Sequence, residues 1–316
     1  MIKNIFLPDQ FGAYYLFAKR ILGIHIGKIA LHATVLYARA NTITIEQCIE
    51  IPFDGLEGTD AAERTSKAVI QLIEQIGPVD DIHSAIASSV VVFKELRIPF
   101  ASYEKIALIV PFEVEPLLPF ALADAVVDFI ITHVDQENHA HILVAAVQKI
   151  HITQQLELLA QAGINPQRIS IDLLDLYSLY RSIAHLQSNT STALITINVQ
   201  DTSIAYLDGG QLRFIRTLQN GTLPLAKQVA DALSITPAQA MEHIMRFGVQ
   251  NTDWPEYAQA IKQALNGFWD GMQFTLGSFA AQASNQVPLG SIQLLGIGAS
   301  LKGIAPYAQE YLKINV

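Results

Sequence analysis

The chain has 316 residues, 51% of them apolar and 16% charged, with a net charge of −9; that is enough apolar material for two cores. The charge excludes a nucleic-acid binder, which needs a basic stripe to neutralise phosphates. A lone cysteine, Cys48, excludes an internal disulfide and cysteine-cluster metal sites, and its place in a predicted strand reads as a small buried hydrophobe.

The first twenty residues carry Pro8, Asp9 and Gln10 where a signal peptide needs its apolar centre. No uninterrupted apolar run reaches the ~20 residues of a membrane helix. The longest candidate, 105–134, holds Glu113, Glu115, Asp124, Asp128 and three prolines. The expectation is a cytoplasmic chain.

The aromatic-rich segment 6–17 is expected to lie as an arm along a sheet edge, because so many rings rarely stay in water. Three strands follow, at 21–26, 29–37 and 42–51, separated by Gly27-Lys28 and by a turn at Ala40-Asn41. In the third, Thr42, Thr44 and Glu46 alternate with Ile43 and Ile45, the period of two that marks strands. A helix over about 60–76 has Asp60 and Glu63 as a reciprocal cap, Ala68, Leu72 and Ile76 as its apolar stripe, and Gly77-Pro78 as its stop. A short strand, 84–87, returns to the sheet.

Residues 90–120 differ in kind. Prolines at 99, 111, 116 and 119 rule out one regular helix across the segment. It reads as a small inserted subdomain, about 90–124, with a helix starting at Tyr103. Strands resume at 125–132 and 141–148. A helix over 153–162 stops at Gly163, with Ile164 as the apolar residue of a Schellman turn. Strand 168–171 and helix 173–185 complete a first domain, 1–187. The polar run 187–192 marks the boundary.

The second domain, 188–316, repeats the opening layout: a strand from Ala193, a second from Thr202, an Asp208-Gly209-Gly210 turn and a third from Gln211. A strand followed by two hairpin-linked strands, occurring twice, predicts a duplicated domain. Helices are expected at 222–233, from a cap at Thr236-Pro237-Ala238-Gln239, and at 257–283. A strand at 292–295 then runs into Gly296-Ile297-Gly298-Ala299-Ser300 at the head of the last helix, a generic anion cradle. The run 311–316 is strand-like.

Four segments carry a resemblance: FEVEPLLPF (112–120), VAAVQKIHITQQLELLAQAGINPQRISID (144–172), LDGGQLRFIRTLQNG (207–221) and LLGIGASLKGI (294–304). Together they resemble the actin-like platform proteins of pilus and secretion machines, PilM of type IV pilus assembly and the cytoplasmic part of GspL of type II secretion. The resemblance covers nearly the whole chain. It implies an α/β fold of the actin/Hsp70 (ribonuclease H-like) kind, duplicated into two domains with a small inserted subdomain. It also implies a nucleotide cleft drawn from Gly23, His25, Gly27 and Lys28, from Thr196, Asn198 and Asp201, and from Gly296, Gly298 and Ser300.

ATP-binding relatives begin both hairpins with Asp-x-Gly, whereas this chain has His25-Ile26-Gly27 and Thr196-Ile197-Asn198. Magnesium prefers hard oxygen ligands beside the substrate phosphates. The cleft is therefore expected to be vestigial, with no catalytic residues, no bound cofactor and ATP with Mg²⁺ disfavoured. The resemblance implies a non-catalytic scaffold at the inner face of the inner membrane. It would link a GspE-like assembly ATPase to a PilN- or GspM-like platform protein; homodimerisation is compatible with this. The alternative is an ATP-binding actin-like ATPase, PilM-like or division-protein-like. The choice between pilus and secretion machine stays open, and the chain is expected to be the soluble part of a longer protein.

Three further groups bear on function. His133, His139 and His141 cluster around a turn; as metal ligands they would need convergence from adjacent strands, and a solvated turn is the reading adopted. Arg213 and Arg216 flank Phe214 and read as salt-bridging residues. Phe112, Glu113, Glu115, Leu118 and Phe120 are expected to bind a partner, since the insert holds more large apolar side chains than it can bury alone.

Overall fold

The computed structural model describes residues 10–11, 14–56, 60–183, 190–249, 253–282 and 288–316. In chain order the strands are β1 (Gln10–Phe11), β2 (Tyr14–Ile26), β3 (Ala30–Ala40), β4 (Thr42–Pro52), β5 (Asp81–Ile86), β6 (Val91–Ile98), β7 (Ala125–Val134), β8 (Ala140–Gln148), β9 (Arg168–Ile171), β10 (Ser191–Ile197), β11 (Thr202–Asp208), β12 (Gln211–Leu218) and β13 (Leu289–Leu295). The helices are α1 (Ala61–Ile76), α2 (Tyr103–Val114), α3 (Lys149–Gln161), α4 (Asp172–Ile183), α5 (Thr222–Leu233), α6 (Pro237–Phe247), α7 (Pro255–Gln282) and α8 (Ile304–Leu312).

One compact unit comprises Met1–Val90 with Val147–Asp175. Its sheet runs β4-β3-β2-β5-β9, with β1 added against β2. The first three strands form an antiparallel meander, and β5 and β9 join in parallel. Residues at a spacing of two share a sheet face, so Leu31, Ala33 and Val35 of β3 meet Leu22 and Ile24 of β2 in one core. Ala68, Val69, Leu72 and Ile76 of α1 cover that face, together with Leu159 of α3 and Ile164. The helix stops act as expected, and of the reciprocal cap the structure shows the Asp60 half. Asp60 accepts from the Glu63 amide at 2.8 Å, Gly77 follows α1 at φ +70°, and Ile164 donates to the Leu159 carbonyl beyond Gly163.

The second unit comprises Val91–Ala146 with Leu176–Val316. Its larger sheet has the order β12-β11-β10-β13. Here β10 to β12 form the antiparallel meander and β13 pairs with β10 in parallel. The duplicated layout predicted from the sequence is thus present: β2 to β5 in one unit, β10 to β13 in the other. All residues of β10 and β11 are buried. Ile195, Ile197, Ile204 and Tyr206 contribute to a core with Phe268, Trp269, Met272 and Phe279 of α7. The capping box at Thr236 and Gln239 opens α6 as read.

The inserted segment forms a separate three-stranded sheet, β6-β8-β7. Ile106, Val110 and Val114 of α2 pack on Ile98, Phe129, Ile142 and Val144. The insert therefore runs to Ala146 rather than 124. Strand β6 was not expected, because Lys94, Glu95 and Arg97 interrupt its apolar run. The units divide the chain within α4, not at 187/188. Tyr177 explains this: its hydroxyl accepts from the Leu212 amide and donates to the Gly210 carbonyl, tying α4 to the β11–β12 turn. Of the expected boundary run, residues 187–189 lie outside the described residues, and Ser191 and Thr192 already belong to β10.

Three further readings change. Cys48 is exposed, because β4 is an edge strand whose residues 42–48 all face solvent. The aromatic segment contributes β1 and the start of β2, while residues 6–9 and 12–13 lie outside the described residues. Tyr311 and Leu312 finish α8, and only Asn315 bridges to Ser291.

Trp269 is fully buried at the centre of the second unit. Trp269→Ala is expected to remove about 3–5 kcal/mol of stability, read as a lower urea midpoint in chemical denaturation.

Candidate functional site

In the first unit, β2 and β3 are joined by Gly27, Lys28 and Ile29. The Gly27 amide donates to the Ala30 carbonyl at 3.0 Å, and a Cβ at Gly27 would lie 2.8 Å from that oxygen. Glycine is therefore required here by the tightness of the turn. Gly23 differs: it lies within β2, and a Cβ there would make only an ordinary 3.8 Å contact with Thr34. Lys28 is exposed.

His25 projects from the last turn-proximal residues of β2. Its ring stacks on His32 with 6.2 Å between centroids. Its Nε2 is buried 3.7 Å from Asp172 Oδ2, with no hydrogen-bond partner among the described residues. Asp172 heads α4 and accepts from the Ser88 amide at 2.8 Å. Burial pushes the His25 imidazole below its ordinary range, and the Asp172 charge opposes this without reversing it. Burial therefore favours the uncharged imidazole.

In the second unit the β10–β11 turn, Asn198 to Asp201, is closed by its own chain. The Asn198 amide donates to the Asp201 carbonyl, and the Asn198 side chain donates to Asp201 Oδ1 at 3.0 Å. The first two amides of α5 then complete the closure. Thr222 donates to the Asn198 carbonyl at 2.9 Å and Leu223 to the Val199 carbonyl at 2.8 Å. Those amides lack intrahelical partners, and here the hairpin supplies them. Gly221 makes the approach feasible, since a Cβ there would sit 2.5 Å from the Asn198 oxygen and 2.7 Å from both Asp201 N and the Val199 oxygen. Asp201 is only 7% exposed. Thr196 Oγ1 is buried with no partner among the described residues.

Gly296 and Gly298 face β10. A Cβ at Gly296 would lie 2.6 Å from the Ile197 oxygen, and one at Gly298 would lie 2.3 Å from Ile197 Cγ2. Close packing on β10 thus accounts for both glycines. The turn they frame is a single 3₁₀ turn, Ile297–Ser300, in which the Ser300 hydroxyl donates back to the Ile297 carbonyl at 2.6 Å. The expected cradle at the head of the last helix is corrected: α8 begins only at Ile304, after Gly303. Beneath the turn lies a cavity of about 10 Å³, lined by Ile197, Gly221, Thr222, Leu225, Phe268 and Leu301 among others. It has room for one water at most.

The solvated histidine turn also carries carboxylates. Asp135, Glu137 and His139 bring ligand atoms within 4.8 Å of one another. Arg97 of β6 occupies that space, donating to Asp135 at 2.9 Å and Glu137 at 2.7 Å and lying 3.0 Å from His139 Nδ1. These contacts and the His139 amide hold the Asp135 carboxyl well below the usual carboxylate range. His133 stacks on His141 at 4.0 Å and hydrogen-bonds Arg213, which also faces Asp208 at 3.6 Å. Arg216 instead lies 5.2 Å over the Phe279 ring.

The expected partner residues do not form one surface. Phe112, Glu113 and Glu115 are exposed and Phe120 is half-buried, whereas Leu118 packs on the insert core. Sequence reasoning missed Leu108, 74% exposed, one helical turn from Phe112. The spacing was readable: both lie opposite Ile106 and Val110 on α2.

Both units carry the fold of actin-like ATPases. The chain is similar to the PilM-PilN type IV pilus biogenesis complex at a TM-score of 0.78 and 21% identity, covering 93% of this chain and 86% of that one. It is similar to MreB5 of Spiroplasma citri bound to AMPPNP at 0.54 and 9%, covering 94% and 90%. It is also similar to the ethanolamine utilization protein EutJ from Carboxydothermus hydrogenoformans at 0.50 and 12%, covering 95% and 84%. The model of the type IV pilus assembly protein PilM family matches residues 23–316, and the chain belongs to that family. No curated protein matches its sequence. Among the described residues no helix is long and apolar enough to cross a membrane.

Two outcomes follow from this geometry. Gly221→Ala forces a backbone collision at the α5 junction and is expected to lower stability by about 1–3 kcal/mol, measured by thermal denaturation. For His133, burial with the Arg213 and His141 charges pushes the imidazole down to about 4, against about 6.5 in an unfolded chain. Between those values the unfolded chain binds a proton that the folded chain does not, so stability falls as pH drops from 6.5 towards 4. His133→Gln, which can still accept from Arg213, should flatten that part of the melting-temperature profile.

Proposed function

We propose that this PilM-family protein is a non-catalytic actin-like scaffold of type IV pilus assembly. The observation that carries the reading is the closed β10–β11 turn. Its carbonyls take the α5 amides, and its one carboxylate, Asp201, is buried and holds Asn198. In the other unit the position matching Thr196 holds His25, whose imidazole burial pushes towards its uncharged form. The fold family implies ATP with Mg²⁺, and this donor set does not fit it. Magnesium demands hard oxygen ligands in near-octahedral array, whereas His25 supplies a ring nitrogen and Asp201 already has one oxygen engaged by the Asn198 side chain. No phosphoryl-transfer step is assigned to these residues.

What remains for the chain is to bind proteins. A similar structure is a PilM-PilN complex, and we assign this chain an inner-membrane partner of the PilN kind. The assembly ATPase of the machine would be its second partner, which places the chain at the inner face of the inner membrane. Actin-like ATPase function is the competing reading, supported by the shared fold of an AMPPNP-bound relative.

Calorimetric titration of Mg-ATP into metal-free full-length chain separates the two. No binding tighter than about 1 mM is expected; a tighter, Mg-dependent complex with turnover above background would defeat the scaffold reading. The combined substitution His25→Asp, Thr196→Asp and Asn198→Gly releases Asp201 from its amide. If the loss of nucleotide binding is local, this variant should gain Mg-dependent affinity of about tenfold or more.

A further inference from the structure

We propose that the outward face of α2 is a docking surface for a basic amphipathic helix of a partner protein. Helix α2 buries Ile106, Val110 and Val114 against its sheet. A surface helix with one face so buried normally carries polar residues on the other. Here the two side chains pointing most directly away are Leu108 and Phe112, 74% and 71% exposed. They lie four residues apart and so touch along the helix, forming a short apolar ridge. Leu117, 42% exposed, extends it at the C-terminal end, whereas Tyr103 stacks on Phe129 of the sheet beneath.

The charges around the ridge choose its occupant. Glu104, Glu113 and Glu115 are exposed beside it, against the single cation Lys105. The whole insert, 91–146, carries eight carboxylates and three basic residues, and one of those, Arg97, is already held by Asp135 and Glu137. A second copy of this chain seated on the ridge about a two-fold axis would set glutamates against glutamates. An anionic lipid surface is repelled for the same reason. A helix presenting leucine-like side chains between lysines or arginines meets both needs. Its apolar stripe covers Leu108 and Phe112, and its cations lie along the acidic rim, which mainly accelerates association. Pro111 favours this approach. It leaves the Ala107 carbonyl without its helical donor on an exposed turn, an acceptor for a long basic side chain.

The inference takes its biological sense from the scaffold reading, but its test does not depend on it, because nucleotide titration and helix binding can fail separately. The probe is a fluorescein-labelled, leucine- and lysine-patterned amphipathic helix, compared with the same helix carrying glutamate for lysine. Full-length chain should bind the lysine helix saturably at low salt and the glutamate helix at least about tenfold more weakly. The double substitution Leu108→Ser and Phe112→Ser should weaken the lysine complex about tenfold or more, with a melting temperature within about 2 °C of the parent. Equal binding by parent and double variant would reduce the effect to general acidity and overturn the proposal. A collapse in melting temperature would also overturn it, by showing that the ridge belongs to the core. Sedimentation equilibrium showing a dimer that the substitutions abolish would assign the face to a second copy instead. Co-sedimentation with phosphatidylglycerol vesicles that the substitutions abolish would assign it to the membrane, and either result removes the partner helix.

Discussion

The start of α5 is the constraint around which the second unit's candidate site is arranged. A helix begins with amides that have no partner inside it, and those of Thr222 and Leu223 point at the β10–β11 turn. They are satisfied by the Asn198 and Val199 carbonyls. That solution requires glycine at 221, because any Cβ would meet three backbone atoms below 3 Å. It also stiffens the turn and fastens Asn198 to Asp201. A helix start that serves the protein's own hairpin is a structural joint. Left free, the same amides would attract an anion.

The insert shows a comparable substitution of charge for charge. Asp135, Glu137 and His139 have the composition of a cation site, and the cation in place is the guanidinium of Arg97. A planar fork of donors suits two carboxylates at once, so the guanidinium holds the β7–β8 turn to β6. The pair of stacked imidazoles nearby, His133 and His141, survives beside Arg213 because His133 is kept neutral by burial and by that neighbouring charge. These contacts belong to the same unit, and they explain why the insert keeps a firm structure over a core of only eight buried apolar side chains.

The two candidate regions therefore differ in what they leave available. Around β10 the turn carbonyls and Asp201 Oδ1 take internal hydrogen bonds, and Gly296 and Gly298 are held by close packing. On α2 the reverse holds: apolar side chains that packing would normally claim are left in water. The scaffold role proposed for this PilM-family protein rests on those two features.

The strand meanders, the duplication, the helix stops at Gly77 and Gly163 and the capping box at Thr236 were legible in the sequence, because each depends on neighbours within a few residues. His25 and Thr196, at positions where the resemblance implies aspartates, were equally plain, being a matter of residue identity. The exposure of Cys48 was not legible, since it depends on β4 lying at a sheet edge rather than within it. Nor was the membership of β7 and β8 in the insert, which depends on their pairing with β6, nor the use of Arg97 as the cation of the histidine turn. Glycines 296 and 298 read as an anion cradle along the chain, and only the approach of Ile197 from a strand a hundred residues earlier showed what they make room for. Local sequence determines what an element is; which of its faces and which of its polar groups remain free is decided by the partners that the fold brings to it from far along the chain.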